Sequence, residues 1–205
     1  MAGLTMIHRF EPGSSRETVL LLHGTGGDEN DLVGLGREIA PDANLLSPRG
    51  QVLENGMPRF FRRIREGVFD EDDLVRRAAD LDRFVRDATL HYLLDPARIR
   101  AFGYSNGANM AAALLLLHPT LLSGAALLRA VLPLEPPAPP QLQGKPVLIL
   151  AGRNDPYAPQ KRVKDLAARL EAAGAKVDLR WSEGGHAPEP TEIDDVAQWL
   201  RSPMA

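Results

Sequence analysis

Short apolar runs recur along this chain with helical patterns between them, and that alternation limits its fold more than any other feature. The runs are residues 19–22 (VLLL), 44–47 (NLLS), 99–104 (IRAFGY), 124–131 (GAALLRAV), 147–151 (VLILA) and 177–181 (VDLRW). Continuous apolar strands belong to sheets covered on both faces. The intervening patterns are residues 29–40, with Asp28 as N-cap, and 72–94, where Leu74, Val75, Ala78, Leu81, Val85, Ala88 and Tyr92 recur at helical spacing. The second should stop at Asp95-Pro96, because the residue before a proline is pushed out of helical geometry. Helices are also expected over 106–117, over 159–173 with Gly174 as its stop, and over 191–200. The order β-α-β-α-β-α-β-α-β-α predicts an α/β protein with a mostly parallel central sheet and helices on both faces.

At 205 residues the chain fits a single domain spanning 1–205. The proline-rich stretch PLEPPAPPQ at 133–141 reads as a stiff surface loop, since it lies between two strands of one sheet rather than between sheets. A net charge of −3 argues against nucleic acid as a principal partner, which would need a basic face. The local basic stretch RRIR at 62–65 is answered by Glu66 and the acids at 70–73. The absence of cysteine excludes disulfides, thiolate catalysis and cysteine-based zinc sites, and fits a reducing compartment. No basic segment followed by an apolar run opens the chain, so no signal peptide is expected. The apolar run 110–117 is far short of the ~20 residues a membrane span needs. A cytoplasmic protein without a membrane span is the expectation.

Between strand 99–104 and helix 106–117 stands Gly103-Tyr104-Ser105-Asn106-Gly107. Alone, a Gly-x-Ser-x-Gly pattern is only suggestive. Here a strand runs in and a helix rich in small residues runs out, as a nucleophile elbow requires. Large side chains at Gly103 or Gly107 would clash where helix and strand pack close. A serine hydroxyl needs a base, and a histidine base needs an orienting carboxylate. In this arrangement the chain order is Ser, then Asp or Glu, then His. His8, His23 and His91 precede Ser105, and His118 ends the helix that Ser105 begins, more than about 10 Å away. His186 remains, in the glycine-rich loop WSEGGHAP, placed to swing over a site. Of the acids between them, Asp155 follows strand 147–151, at the carboxyl end where open α/β sheets place their sites. Glu135 and Glu183 stay as weaker alternatives, and Asp155 also suits a turn ahead of Pro156.

LLHGTGGDEN at 21–30 follows the first strong strand. It matches neither Gly-x-Gly-x-x-Gly nor a Gly-Lys-Ser/Thr phosphate loop. It is better read as a turn that aims backbone N–H groups at the sheet's end. The Thr25 amide and the Asn106 amide would then form an oxyanion hole. His23 is expected to hold that loop in shape rather than to react.

Taken together, LLHGTGGDENDL, SPRGQVLENGMPRFFRR, GYSNGANMAAALLLLHP, LILAGRNDPYAP and GGH resemble the phospholipase/carboxylesterase family of the α/β-hydrolase superfamily, which includes acyl-protein thioesterases and bacterial stress hydrolases. They span residues 20–186 in the family's order, and the TGGDEN and ENGMPRFFRR segments point to the bacterial branch. The resemblance implies the α/β-hydrolase fold, a Ser105–His186–Asp155 triad, an oxyanion hole from Thr25 and Asn106, and no cofactor or metal. It implies hydrolysis of short- to medium-chain or aryl carboxylic esters, with a small-molecule ester as partner. A thioesterase, lysophospholipase or lactonase would use the same triad, and a non-catalytic ligand-binding protein of the same fold is the rival from another class. Residues 49–70 show little periodicity, and Met57, Phe60, Phe61 and Phe69, with Tyr157, are candidates for the substrate pocket or for core. A homodimer is the default expectation for assembly.

Overall fold

The computed structural model describes residues 4–136 and 138–202; residues 1–3, Pro137 within the proline-rich loop and residues 203–205 lie outside it. In chain order the elements begin with β1 (His8–Glu11), β2 (Thr18–Leu22), α1 (Val33–Ile39) and β3 (Asn44–Pro48). Four short strands follow: β4 (Val52–Glu54), β5 (Met57–Arg59), β6 (Arg63–Arg65) and β7 (Val68–Phe69). Then come α2 (Glu71–His91), β8 (Ile99–Tyr104), α3 (Asn106–Leu117) and β9 (Gly124–Leu128). The chain continues through β10 (Pro146–Gly152), α4 (Gln160–Ala172), β11 (Lys176–Ser182) and α5 (Pro190–Arg201).

Seven strands form one sheet in the order β1-β3-β2-β8-β9-β10-β11. β1 runs antiparallel to β3, and every other neighbouring pair is parallel. β2 shows why its sequence is apolar throughout. Leu20 and Leu22 lie on the face that α2, α3 and α4 cover, whereas Val19 and Leu21 lie on the face of α1 and α5. β10 divides the same way, with Val147 and Ile149 on the first face and Leu148 and Leu150 on the second. Helix α3 is buried on all sides from Asn106 to Leu116, which explains its lack of an amphipathic pattern. Among the described residues no helix is long and apolar enough to cross a membrane.

Local differences from the sequence reading have physical causes. α1 begins at Val33, not at residue 29, and Asp28 does not cap it. Asp28 instead accepts the Asn30 amide at 2.8 Å, and Glu29 is drawn to Arg49. α2 is capped by Asp70, which accepts the Asp73 amide at 3.0 Å. It ends at His91, ahead of Asp95-Pro96, because Leu93 takes a left-handed conformation (φ 56°) and the Leu94 amide bonds back to the Thr89 carbonyl. No helix separates β9 from β10, where the proline-rich loop makes the connection, nor β1 from β2, and β3 to β7 follow one another without one. β9 ends at Leu128, three residues short of the apolar run, because Arg129 turns away with φ 61°. The aperiodic stretch 49–70 holds two small hairpins, β4–β5 and β6–β7.

Candidate active site

Ser105 stands at the junction of β8 and α3 with φ 54° and ψ −114°, a conformation that L-residues seldom adopt. Two backbone bonds hold it there: its N–H donates to the Leu128 carbonyl and its carbonyl accepts from the Asn109 amide, both at 2.9 Å. The flanking glycines are required by contact. A Cβ on Gly103 would lie 2.7 Å from the Gly107 carbonyl oxygen, and one on Gly107 only 2.0 Å from that of Leu22.

His186 approaches from the loop between β11 and α5. Its Nε2 lies 2.9 Å from Ser105 Oγ and its Nδ1 lies 2.8 Å from Asp155 Oδ2. The Asp155 side chain is fully buried at the carboxyl end of β10. Its other oxygen, Oδ1, accepts the amides of Tyr157 (2.8 Å) and Ala158 (3.2 Å). The turn role and the histidine contact are thus served by different oxygens of one carboxylate. Glu135 and Glu183 instead pair with Arg169 and Arg153.

The histidine loop is clamped rather than free to swing. The Arg129 guanidinium donates to the carbonyls on either side of His186, Gly185 at 2.8 Å and Ala187 at 3.0 Å. It also grips both carboxylate oxygens of Glu192 at the start of α5. Burial pushes the Glu192 carboxyl up, but its bonds from Arg129 and the Glu189 amide prevail and hold it below its ordinary value. The Tyr104 hydroxyl adds a bond to the His186 carbonyl at 3.2 Å. The loop lies so close to β10 that a Cβ on Gly152 would meet the Gly185 carbonyl oxygen at 2.4 Å. Sequence reasoning missed Arg129; a lone charge inside the apolar run 124–131 was its only signal.

Thr25 and Asn106 border the same cleft as Ser105 and His186, a cavity of about 610 Å³. The Asn106 amide is in the first turn of α3, where N–H groups have no partner within the helix. The Asn106 side chain has a second use, accepting the Phe60 amide at 2.7 Å. On the facing loop, Arg59 donates to Thr25 Oγ1 at 2.7 Å. His23 lies beneath. Its Nε2 accepts the Gly50 amide (3.0 Å), so the proton is on Nδ1, which donates to the Gly24 carbonyl (2.7 Å). Burial pulls its imidazole below the ordinary value, against an opposing contribution from the Gly24 bond.

The five pocket candidates separate. Phe69 and Tyr157 line the cleft. Phe60 and Phe61 do not: both are buried in the core, Phe60 against the His23 ring and Phe61 edge-on to Phe69. Met57 projects from the β4–β5 hairpin beside Gly26, outside the cleft lining. Phe60 and Phe61 both anchor their irregular segment in the core. Arg59, Arg63 and Arg162, none of them a pocket candidate from sequence, share the lining.

The sequence profile described as Phospholipase/Carboxylesterase matches residues 11–203. The Bacillus subtilis (strain 168) protein MhqD, provisionally named a hydrolase, is 45% identical over 196 residues, covering 96% of this chain and 98% of its own. The crystal structure of a Bacillus cereus carboxylesterase superposes with a TM-score of 0.93 at 43% identity, over 96% of this chain and 93% of that one. A carboxylesterase from Mesorhizobium loti gives 0.87 at 38% identity, over 93% and 91% of the two chains.

Proposed function

The chain belongs to the phospholipase/carboxylesterase family, and from that premise we propose that it is a serine carboxylesterase acting on short- to medium-chain or aryl esters. The observation that carries this reading is the unbroken contact from Ser105 Oγ through His186 to Asp155, at 2.9 and 2.8 Å. In this reading the substrate carbonyl oxygen enters between the Thr25 and Asn106 amides. His186 Nε2 takes the Ser105 proton as Oγ attacks the carbonyl carbon. Asp155 fixes the tautomer and stabilises the imidazolium that forms. The tetrahedral oxyanion is held by the two amides, a donor of this kind contributing ~3 kcal/mol. His186 then protonates the leaving alkoxide, and an acyl-Ser105 ester remains. Water attacks it with His186 again as base, releasing the acid and restoring the serine.

The polar, arginine-bearing lining of the cleft favours small esters over long acyl chains. The cysteine-free composition supports a cytoplasmic setting. Hydrolysis of p-nitrophenyl esters from acetyl to palmitoyl tests the proposal. Turnover should peak at short chains and fall about 10⁴-fold or more in Ser105→Ala. A fluorophosphonate should label wild type and not that variant. A peak at long chains would favour the lysophospholipase or thioesterase reading, and a folded wild type that neither turns over nor labels would sink the proposal.

A further inference from the structure

The cleft beside Ser105 carries more positive charge than its own carboxylates answer. Four arginines line it: Arg59, Arg63, Arg129 and Arg162. Arg129 is matched by Glu192. Arg59 and Arg63 share one partner, Glu54, at 3.5 and 2.7 Å. Arg162 has no carboxylate within pairing distance among the described residues. Asp165 and Glu71 are close enough only to be felt, and the exposed Glu66 is the one carboxylate on the lining.

The setting of Arg162 is costly unless a ligand answers it. It lies in the first turn of α4, where the helix dipole disfavours a cation, and that turn holds no acid. It is half-buried, and burial lowers its pKa from the ordinary value. Yet its guanidinium is fixed in place. It donates to the Gly67 carbonyl at 2.7 Å and the Leu132 carbonyl at 3.1 Å, and its centre lies 5.1 Å over the Phe69 ring. Two of its five N–H groups are used in this way, which leaves others for a ligand. A fixed, partly desolvated and unanswered guanidinium is suited to bind a carboxylate.

We infer that the ester substrate carries an anionic group, in its simplest form a second carboxylate, which binds Arg162 while the ester carbonyl faces Ser105. The substrate class is then the hemiester of a short dicarboxylic acid. This rests on the esterase reading above and narrows it.

The test is kcat/KM at fixed ionic strength for monomethyl succinate, glutarate and adipate, each against methyl butyrate, pentanoate or hexanoate, in which a methyl replaces the free carboxylate. Acid release is followed by pH-stat. Wild type should favour at least one hemiester about 10- to 100-fold, the range for a hydrogen bond to a charged group. Arg162→Gln should erase that ratio, and Arg162→Lys should keep part of it. Equal or better turnover of the neutral esters by wild type would overturn the inference even if the variants fail to fold. So would an unchanged ratio in folded Arg162→Gln. p-Nitrophenyl acetate, assayed on the same preparation, separates the two failures. If it is hydrolysed while hemiesters are not preferred, only this inference falls. If no ester is hydrolysed, the esterase reading falls and takes this one with it.

Discussion

Arg129 and Glu192 form a two-pronged ion pair, at 2.7 and 2.6 Å, directly beneath the loop that presents His186. The arginine side chain is 0% exposed and the glutamate 6%. Breaking such a pair leaves a buried charge without an answer, at about 3–5 kcal/mol. Arg129→Met should therefore lose roughly that much in denaturant unfolding. It should also lower kcat, because the Gly185 and Ala187 carbonyls lose their anchor. Adding Glu192→Gln to Arg129→Met should recover part of the stability and none of the activity. Full recovery of both would mean that the clamp has no part in placing His186.

Stability should fall with acid in two stages. Burial holds the folded His23 imidazole below its ordinary 6.5, so the unfolded chain takes up that proton first. The stability it contributes is complete above about pH 6.5 and is lost as pH falls. Glu192 behaves alike lower down, as does Asp73, where burial is outweighed by bonds from the Arg62 amide and Arg76. Their contribution is complete above about pH 4.5 and is lost beneath it. Urea midpoints between pH 3 and 8 should show both slopes. His23→Asn should lack the upper slope and Glu192→Gln should have a shallower lower one; unchanged slopes would contradict these assignments.

Phe61 and Phe69 touch edge-on at 5.1 Å but should respond differently to truncation. Phe61 is 0% exposed, so Phe61→Ala should cost about 3–5 kcal/mol in stability. Phe69 and Tyr157 line the cleft, and Tyr157 is mostly exposed, so Tyr157→Ala should leave stability nearly unchanged while altering the ester profile. A chain-length profile that follows Phe61 and ignores Tyr157 would reverse the division of these residues between core and cleft.

Those aromatic residues mark a limit of what sequence alone conveys. β8 and α3 agree with expectation at both ends, since an apolar strand, a glycine-bounded turn and a helix apolar but for two asparagines leave little choice. The glycine-flanked turn points to Ser105, chain order to His186 and a strand-end position to Asp155, and the three side chains lie in one hydrogen-bonded chain. Less legible was whatever depends on contacts distant in sequence. β1 (HRFE) is an edge strand too short and polar to stand out, and only its pairing with β3 defines it. Phe60 reads as pocket or core alike until its amide is seen on Asn106, 46 residues away. Arg129 joins β9 to α5 across 63 residues, a relation no local pattern carries.

Gly107 faces the end of β2, and the space for a methyl group there is already occupied by backbone. The Leu22 carbonyl oxygen would lie 2.0 Å from the new Cβ and the His23 oxygen 2.6 Å. Backbone cannot rotate aside as a side chain does. Gly107→Ala should therefore reach or exceed the upper end of the about 1–3 kcal/mol typical of overpacking. At about 2–4 °C per kcal/mol for a chain of this size, the thermal midpoint should drop by several degrees. Gly34, where a new Cβ would have nothing within 4 Å, is the control: Gly34→Ala should be neutral or stabilising. Equal effects at the two positions would refute the close approach of α3 to β2.

Ser105 bears a strain that a glycine would not. Its φ of 54° with ψ −114° is held by the bonds to Leu128 and Asn109, and a non-glycine residue held so costs about 1–3 kcal/mol. Ser105→Ala removes the hydroxyl but keeps the Cβ that makes the conformation costly. Ser105→Gly removes both, while the freer unfolded chain takes back about 0.5–1 kcal/mol. Both variants should be inactive, yet Ser105→Gly should melt higher than Ser105→Ala, by about 2–4 °C for each kcal/mol of net relief. Thermal unfolding of the two proteins side by side measures this without any substrate. Equal midpoints, or a lower one for glycine, would show that the turn is accommodated without strain, and the close packing around Gly103 and Gly107 would then be the whole constraint on this segment.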